Sequence, residues 1–343
     1  MMRLPLSWLL AFTTAALALL LLGSLATGPM TLTLGESLRA LFAGQESGIE
    51  SHKLLIVQEI RLPRTLLCIA VGGILGLCGA VMQGLFRNPL ADPGIIGVSG
   101  GAALGAALAI VLLAPLGQQL QATIGVGLLP LLAFLGGALT TTLVYLLGTR
   151  EGGTSVTVML LAGVAITALS GAVIGLLTYL ADDQMLRNLS LWQMGTLAAG
   201  KPADVALALL TLAALLWLFM RDANPLNALL LGEGEAHHLG VNVQSLKRRL
   251  ILLTAAGVGV AVAVSGMIGF VGLVVPHLVR LLAGPNHVRL LPLSALLGAA
   301  LLLAADMLAR TLLAPAELPV GIITALLGAP FFIWLLVKGR RAL

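Results

Sequence analysis

The chain has 343 residues, of which 59% are hydrophobic and only 10% are charged. A soluble domain carries about 25% charged residues, so this composition excludes an ordinary soluble protein and indicates an integral membrane protein. The formal net charge of +5 does not point to nucleic acid, because the basic residues lie in short loops between apolar stretches, where they set membrane topology.

The first predicted span lies at the N-terminus, where an apolar run extends from Trp8 to Ala26. This run is longer than the apolar core of a usual signal peptide, so we expect it to be retained as a membrane helix. Nine more spans follow along the chain when each crossing requires about 20 apolar residues. The ten predicted spans are 8–28, 63–86, 94–113, 122–147, 154–180, 203–220, 250–266, 268–283, 290–310 and 318–337.

A polar interruption separates the second span from the third, at Arg87-Asn88-Pro89-Leu90-Ala91-Asp92-Pro93-Gly94. Its two prolines cannot continue a helix. Broken backbone survives at a membrane only where water or protein satisfies its polar groups. Transporters place gates and binding sites at such breaks, so residues 87–94 are a candidate gate.

The later spans suggest a topology. The eighth is short and contains Pro276, so we expect a bent or half-depth helix. With the N-terminus inside, 12 of the 19 basic residues lie on the inner side, which favours cytoplasmic termini. The hydrophilic segments 29–60 and 181–202 then lie outside, and 221–249 forms the largest inner loop.

An internal repeat is one possible organisation of the spans. The second span enters from outside and the seventh from inside, so spans 2–5 and 7–10 would form an inverted repeat. The sequence echo between the two halves is weak and leaves the repeat undecided. We interpret residues 1–343 as a single transmembrane domain of the all-α class.

Several kinds of chemistry have no motif in the sequence. It contains no GxxxxGK[ST] phosphate loop, no Ser-His-Asp order and no HExxH zinc motif, so we expect neither an enzyme nor a metal site. Cys68 and Cys78 would stand about 15 Å apart on one helix, too far for a disulfide. His237 and His238 are neighbours and do not form the i,i+4 pair of a metal site, which favours a solvated pair.

Charged residues near the span ends allow two interpretations. Asp306 and Arg310 are four apart with the acid first, which favours an intrahelical ion pair near the outer face. Alternatively, Arg310 is exposed there and meets an acidic partner protein. Arg61 and Arg64, at the start of the second span, present the same choice. His277 is either a hydrogen-bonded structural residue or part of a substrate path.

The inner loop contains a candidate short helix at residues 232–240. Its acids fall in the first turn, which suits the helix dipole, and Gly240 can close its C-terminus. Such a helix could dock a partner, whereas the alternative is a plain connecting loop.

Six motifs in order along the chain resemble one family, the FecCD permeases of ABC importers for iron chelates, haem and cobalamin. The matching pieces are RLPR (61–64), GAVMQGLFRNPLADPGIIGVSGGAALG (79–105), LLAGVAI (160–166), LGEGEAHHLGV (231–241), GFVGLVVPHLVRLL (269–282) and ADMLARTLLAPAELPVGIITALLGAPFFIWLL (305–336). The resemblance implies a type II ABC importer permease fold of ten membrane helices, in a homodimer. Two ATPase subunits would bind inside and a substrate-binding protein outside, at a bacterial inner membrane.

The resemblance also implies residue roles. Asn88 and Leu90 match the family's inner gate, as do Thr154 and Ser155 at the start of the fifth span. Arg61 and Arg310 match outer arginines that pair with acids of the binding protein. The segment expected to couple to the ATPase comprises Gly232, Glu233, Glu235, Ala236, Leu239 and Gly240.

The transported substrate is the least defined expectation. The stretch 178–197 looks most like the haem-transporting branch, with ferric siderophores and cobalamin as alternatives, and Arg187 within it could steer a haem propionate. Haem or an iron chelate would be cargo, no cofactor would be bound permanently, and ATP would bind the partner subunit. The rivals are an ion-coupled secondary transporter, whose candidate carboxylate is Asp306, and a scaffold that transports nothing.

Overall fold

The computed structural model describes residues 5–30, 32–42, 50–114, 116, 127–150, 153–198 and 200–340. Nearly all of this part of the chain is helical. The helices are α1 (Leu6–Ala26), α2 (Leu34–Phe42), α3 (Ser51–Leu55), α4 (Leu62–Leu85), α5 (Val98–Val111), α6 (Leu128–Gly148), α7 (Val156–Leu180), α8 (Asp183–Gln193), α9 (Pro202–Arg221), α10 (Ala223–Leu229), α11 (Glu233–His238), α12 (Val243–Ser265), α13 (Val271–Ala283), α14 (His287–Thr311) and α15 (Val320–Arg340). A two-residue antiparallel hairpin, β1 (Thr149–Arg150) and β2 (Gly153–Thr154), joins α6 to α7.

The apolar helices correspond in order to the ten predicted spans. Seven helical segments of the described chain are long and apolar enough to cross a bilayer: α1, Ser51–Leu85, α6, α7, α9, α12 and α14. Three shorter apolar helices, α5, α13 and the Val320–Leu335 part of α15, supply the others. The predicted all-helical, multi-pass membrane fold is therefore confirmed, although part of the predicted fourth span lies outside the described residues.

The second span begins earlier than predicted. Residues 51–60 were expected to belong to a hydrophilic outer segment, but α3 runs through a π-helical stretch (Ile56–Arg61) into α4 without a break. The N–H of Leu62 donates to the carbonyl of Val57, five residues back. Pro63 has no N–H to offer an α-helical carbonyl, and the wider π-turn just before it accommodates this loss.

The seventh span also begins earlier than predicted, at Val243 instead of residue 250. The side chain of Asn242 accepts a hydrogen bond from the N–H of Ser245 at 3.0 Å and so caps the helix start. The inner loop is shorter than predicted, and Lys247 lies inside α12.

Helix α4 is the centre of the bundle, buried at nearly every position from Arg64 onward. It packs against α9, α12, α13 and α14. Gly72 and Gly298 bring α4 and α14 into backbone contact, since a Cβ on either glycine would lie 2.4 or 2.3 Å from the other's carbonyl oxygen. Small residues at a crossing allow this close approach inside a membrane.

The two short membrane helices begin in the same unusual way. Gly97, before α5, has φ +84°, and Phe270, before α13, has φ +67°. These helices are the third and eighth spans, which occupy equivalent places in the proposed repeat. The shared left-handed start agrees with the inverted repeat of spans 2–5 and 7–10. The expectation of a short eighth span is confirmed by the 13 residues of α13.

Helix α7 contacts the rest of the chain along one narrow stripe. Its buried positions are Met159, Gly163, Ser170 and Leu177, spaced four or seven apart on one face. Its other side chains are mostly apolar and uncovered within the single chain. A helix hydrophobic all round faces lipid or another protein on its free sides.

Candidate gate and coupling site

One end of the bundle carries α10, α11, the β1–β2 hairpin and the break after α4; we call it the short-helix end. The other end carries Arg61, Arg64 and Arg310, and we call it the arginine end. All the predicted gate and coupling residues lie at the short-helix end.

The predicted short helix at 232–240 exists as α11. Gly240 has φ +81°, and its N–H donates to the carbonyl of His237 at 2.9 Å, while the N–H of Val241 donates to that of Ala236 at 3.0 Å. These two bonds form a Schellman closure, so the predicted C-terminal cap at Gly240 is confirmed. Ala236 is fully buried and anchors the helix, whereas Leu239 is exposed.

Lys247 joins α11 to the hairpin. Its ammonium lies 2.7 Å from each carboxylate oxygen of Glu233 and 3.0 Å from the carbonyl oxygen of Thr154. A lysine has three N–H donors, and these three acceptors use all of them. The Lys247 side chain is 2% exposed, against 42% for Glu233. Removing Lys247 would leave the Thr154 carbonyl without this donor.

The backbone of Thr154 is held on both sides. Its N–H donates to the side-chain oxygen of Gln244 at 3.0 Å, and its carbonyl accepts from Lys247. The neighbouring Ser155 accepts from the N–H of Val158 at 3.5 Å and caps α7. The predicted gate residues Thr154 and Ser155 thus lie immediately before a long membrane helix, and Thr154 is fixed to the start of α12.

The other predicted gate element is the turn after α4. Arg87 has φ +50° and occupies the left-handed position that closes the helix, a place usually taken by glycine. Asn88 is exposed, and its side-chain oxygen accepts from the N–H of Leu90 at 3.0 Å. Burial raises the pKa of the Asp92 carboxyl, although the N–H of Gly94 donates to it at 2.7 Å.

Both predicted gate elements lie close to the N-terminus of α11. A Cβ on Gly232 would lie 3.9 Å from a guanidinium nitrogen of Arg87, which precedes Asn88. Glu233, the next residue, reaches Thr154 through Lys247. The structure therefore brings the residues from three separate motifs together around the N-terminus of α11. Lys247 thus connects α11 to the residues that precede α7, and the break after α4 lies close by.

A buried ionic network occupies the arginine end. Asp306 is fully buried; its carboxylate accepts a hydrogen bond from Arg64 at 2.9 Å and forms an ion pair with Arg310 at 2.9 Å. Arg64 also binds Glu317 at 2.7 Å. The predicted ion pair of Asp306 with Arg310 is confirmed. Arg64 is a second partner of Asp306, and the spacing of residues along α14 could not indicate it because Arg64 lies on α4.

The two predicted docking arginines are buried, 3% exposed for Arg61 and 2% for Arg310. Arg61 donates to the carbonyls of Leu25 at 2.7 Å, Ala26 at 2.9 Å and Met30. Arg310 donates to the carbonyl of Thr27 at 3.0 Å. The last carbonyls of a helix have no partner within it, so both side chains cap the C-terminus of α1.

The remaining sequence candidates stand apart from these clusters. Arg187 is exposed on α8, and His237 and His238 are exposed on α11, as expected for a solvated pair. His277 does not find the expected hydrogen bond at Nδ1 and packs edge-on against Phe331. Cys68 and Cys78 are buried and unpaired, as expected. Among the described residues, no group of three His, Cys, Asp or Glu could hold a metal ion.

Two residues of this cluster, Lys247 and Gln244, are not predicted from the sequence. Lys247 is followed by Arg248 and Arg249, so it reads there as one of the basic residues of the inner loop. Its register was the available clue, since Val243, Leu246, Leu250, Ile251 and Thr254 form the buried face of α12. Lys247 falls in that apolar stripe, whereas the next two residues are exposed. A lysine on a buried face requires a partner.

Comparison with known families and proteins supports the motif-based resemblance. A family model described as the FecCD transport family matches residues 16–338. The hemin transport system permease protein HmuU of Yersinia pestis is 47% identical over 336 residues, covering 97% of this chain and 96% of its own. The vitamin B12 import system permease protein BtuC of Shigella boydii is 41% identical over 334 residues, covering 97% and 96%.

Solved structures have the same fold. A metal-chelate type ABC transporter in an inward-facing conformation is 34% identical, with a TM-score of 0.81 over 96% of this chain and 98% of its own. PsaBC from Streptococcus pneumoniae, in complex with Fab, is 19% identical with a TM-score of 0.57, over 81% and 91% of the two chains. The second likeness concerns the fold alone.

Proposed function

The chain belongs to the FecCD transport family, and from this membership we propose that it carries haem across a bacterial inner membrane as the permease subunit of an ATP-driven importer. The observation that carries the proposal is the position of α11 between the two predicted gate elements: Lys247 binds both Glu233 and Thr154, and Arg87 lies close to Gly232. The chain performs no bond chemistry.

Haem is favoured as cargo by the 47% identity to a hemin permease. Relatives named for vitamin B12 and cobalamin are 41% and 44% identical, which makes cobalamin the main alternative, with ferric siderophores next. Arg187 is exposed on α8, which supports the proposal that it steers a haem propionate. A bulky ligand suits a weakly polar, small-residue path, because strong ion coordination would need charged side chains within the spans.

The proposed assembly is a homodimer with two ATPase subunits. The uncovered faces of α7 suit a second copy of the chain around a central path. The ATPase subunits would bind the short-helix end, which we place in the cytoplasm with both termini. A surface groove of ≈ 660 Å³ lies between α11 and the start of α12 and is open to a partner at this end. ATP binds the partner subunits, and this chain holds no permanent cofactor.

A substrate-binding protein would dock at the arginine end. Arg61 and Arg310 remain the candidate docking residues. Because both are buried, acidic side chains of the partner can reach them only when the C-terminus of α1 moves aside.

An Arg310→Lys variant keeps the positive charge but can no longer bind a carboxylate of the binding protein through two parallel hydrogen bonds. Its affinity for the binding protein should fall, and an unchanged affinity would remove Arg310 from the docking surface.

An ion-coupled secondary transporter is the second candidate. It needs a carboxylate free to bind a proton or cation inside the membrane. Asp306 is fully buried and already neutralised by Arg64 and Arg310, which disfavours it.

A cargo panel in proteoliposomes tests the proposal. Purified permease is reconstituted with its ATPase and loaded binding protein, and ATP-dependent uptake of haem, a ferric siderophore and cobalamin is measured. We expect haem to be taken up fastest. If either of the other two cargoes is taken up faster, that cargo and not haem is the substrate, and the proposed importer mechanism still holds.

A further inference from the structure

Lys247 is a buried cation at the meeting point of two elements that are distant in sequence. Glu233 lies 14 residues before it and Thr154 lies 93 residues before it, and both bind its ammonium. Its carboxylate partner belongs to α11, which the proposed function assigns to ATPase coupling. Its carbonyl partner, Thr154, lies two residues before the start of α7, in the segment that the proposed function assigns to the gate.

We propose that Lys247 is a positioning residue that transmits the movement of α11 to the gate at Thr154. This inference rests on the proposed function and adds the physical connection between its two halves. When a bound ATPase displaces α11, Glu233 pulls the ammonium, and the ammonium pulls the Thr154 carbonyl.

The connection is stiff because each of its parts is anchored. Lys247 is 2% exposed and lies on the buried face of α12, so its stem cannot swing into solvent. The side-chain oxygen of Gln244, one turn earlier, accepts from the N–H of Thr154 at 3.0 Å and fixes the backbone of Thr154 from its other side. Ser155 caps α7, so a shift of the Thr154 peptide shifts the start of a 25-residue membrane helix.

The chemistry requires a lysine. Three donors spread from one nitrogen meet two carboxylate oxygens and one carbonyl, and a planar guanidinium does not place its donors in this way. The Glu233 side chain is 42% exposed, so it can follow a partner protein while its carboxylate stays bound to a buried cation. Such charge-assisted hydrogen bonds are shorter and stronger than neutral ones.

The test compares Lys247→Met with Arg248→Met in the full importer in proteoliposomes. Both variants remove one positive charge from neighbouring residues of α12, but Arg248 is exposed. Haem uptake and ATP hydrolysis are measured in the same vesicles, and their ratio is the readout, since a merely structural defect lowers both quantities together. We expect the ratio to fall about tenfold or more in Lys247→Met. The Arg248→Met control should keep it.

A second variant guards against loss of folding. Glu233→Gln changes the exposed partner and leaves Lys247 bound to Thr154, and it should lower the same ratio by a smaller factor. In the double variant the two losses should not multiply, because both substitutions break the same connection between Glu233 and Thr154. A normal ratio in Lys247→Met, or in Glu233→Gln if the lysine variant does not fold, overturns the positioning role of Lys247 and leaves the proposed function intact. If the unaltered protein shows no ATP-dependent uptake of any cargo, the proposed function is overturned together with the role of Lys247.

Discussion

At the scale of single residues, the arginine end shows how this protein tolerates charge inside a membrane bundle. Asp306 has no exposed surface and compensates two buried arginines, Arg64 and Arg310. Glu317 supplies a second carboxylate to Arg64. Burial of one charge without its partner is costly, so the network holds together only as a whole.

Neutralising the shared carboxylate should therefore unfold the bundle more easily. Asp306→Asn leaves Arg310 without an acidic partner among the described residues, and breaking a buried ion pair costs about 3–5 kcal/mol. Thermal unfolding in detergent should show a clearly lower midpoint than in the wild type. Asp183→Asn, on the exposed surface of α8, is the matched control and should not change the midpoint. Equal midpoints for both variants would contradict a structural role for the network.

Arg187 is exposed, so its predicted effect is small. An exposed charge pair contributes up to about 1 kcal/mol. Arg187→Ala should raise the KM for haem uptake about two- to fivefold with an unchanged maximal rate, because only encounter is affected. The exposed Arg248→Ala at the opposite end should leave both parameters unchanged. An unaltered KM in Arg187→Ala at low haem concentrations would end the steering hypothesis.

At the scale of elements, glycines determine which helices touch. Helices α4 and α14 meet through Gly72 and Gly298, where a Cβ atom on either residue would fall within 2.4 Å of a backbone oxygen. Backbone atoms cannot rotate away as a side chain can, so the helices themselves would have to separate.

A pair of glycine-to-alanine variants tests this contact. Gly72→Ala should destabilise the protein by about 1–3 kcal/mol through overpacking. Gly35 lies in the open on α2, where an added Cβ would have no heavy atom within 4 Å. Gly35→Ala should be neutral, or stabilising by up to about 1 kcal/mol from helix propensity. Gly72→Ala should therefore have a lower thermal midpoint than the control variant, and equal midpoints would contradict the close α4–α14 crossing.

Hydrophobic runs were enough to predict the membrane helices, because lipid demands a long apolar segment at every crossing. The π-helical stretch Ile56–Arg61 was not predictable in this way, since nothing in its composition distinguishes it from a loop next to Pro63. The burial of Arg61 and Arg310 was also hidden, because it depends on where α1 ends in space. Lys247 was visible in principle, but only after the start of α12 was known.

At the scale of the whole molecule, the two ends of the bundle belong on opposite sides of the membrane. The short-helix end is proposed to be cytoplasmic and the arginine end external. Cysteine labelling can test this assignment with little background, because Cys68 and Cys78 are fully buried.

Single cysteines introduced at exposed positions report the orientation. Gln184→Cys lies on α8, in the segment proposed to be external, and His238→Cys lies on α11. In intact cells, a membrane-impermeant maleimide should label Gln184→Cys and should reach His238→Cys only after permeabilisation. The reverse pattern would invert the topology and with it the assignment of gate and docking ends.

The central claim is that uptake is driven by ATP hydrolysis on a partner and not by an ion gradient. Proteoliposomes that contain the permease with its ATPase and haem-loaded binding protein separate these energy sources directly. Haem should accumulate when ATP is supplied on the ATPase side in the absence of any gradient, and it should not accumulate when a proton or sodium gradient is imposed on vesicles that lack the ATPase. Gradient-driven accumulation without the ATPase subunit would contradict the claim.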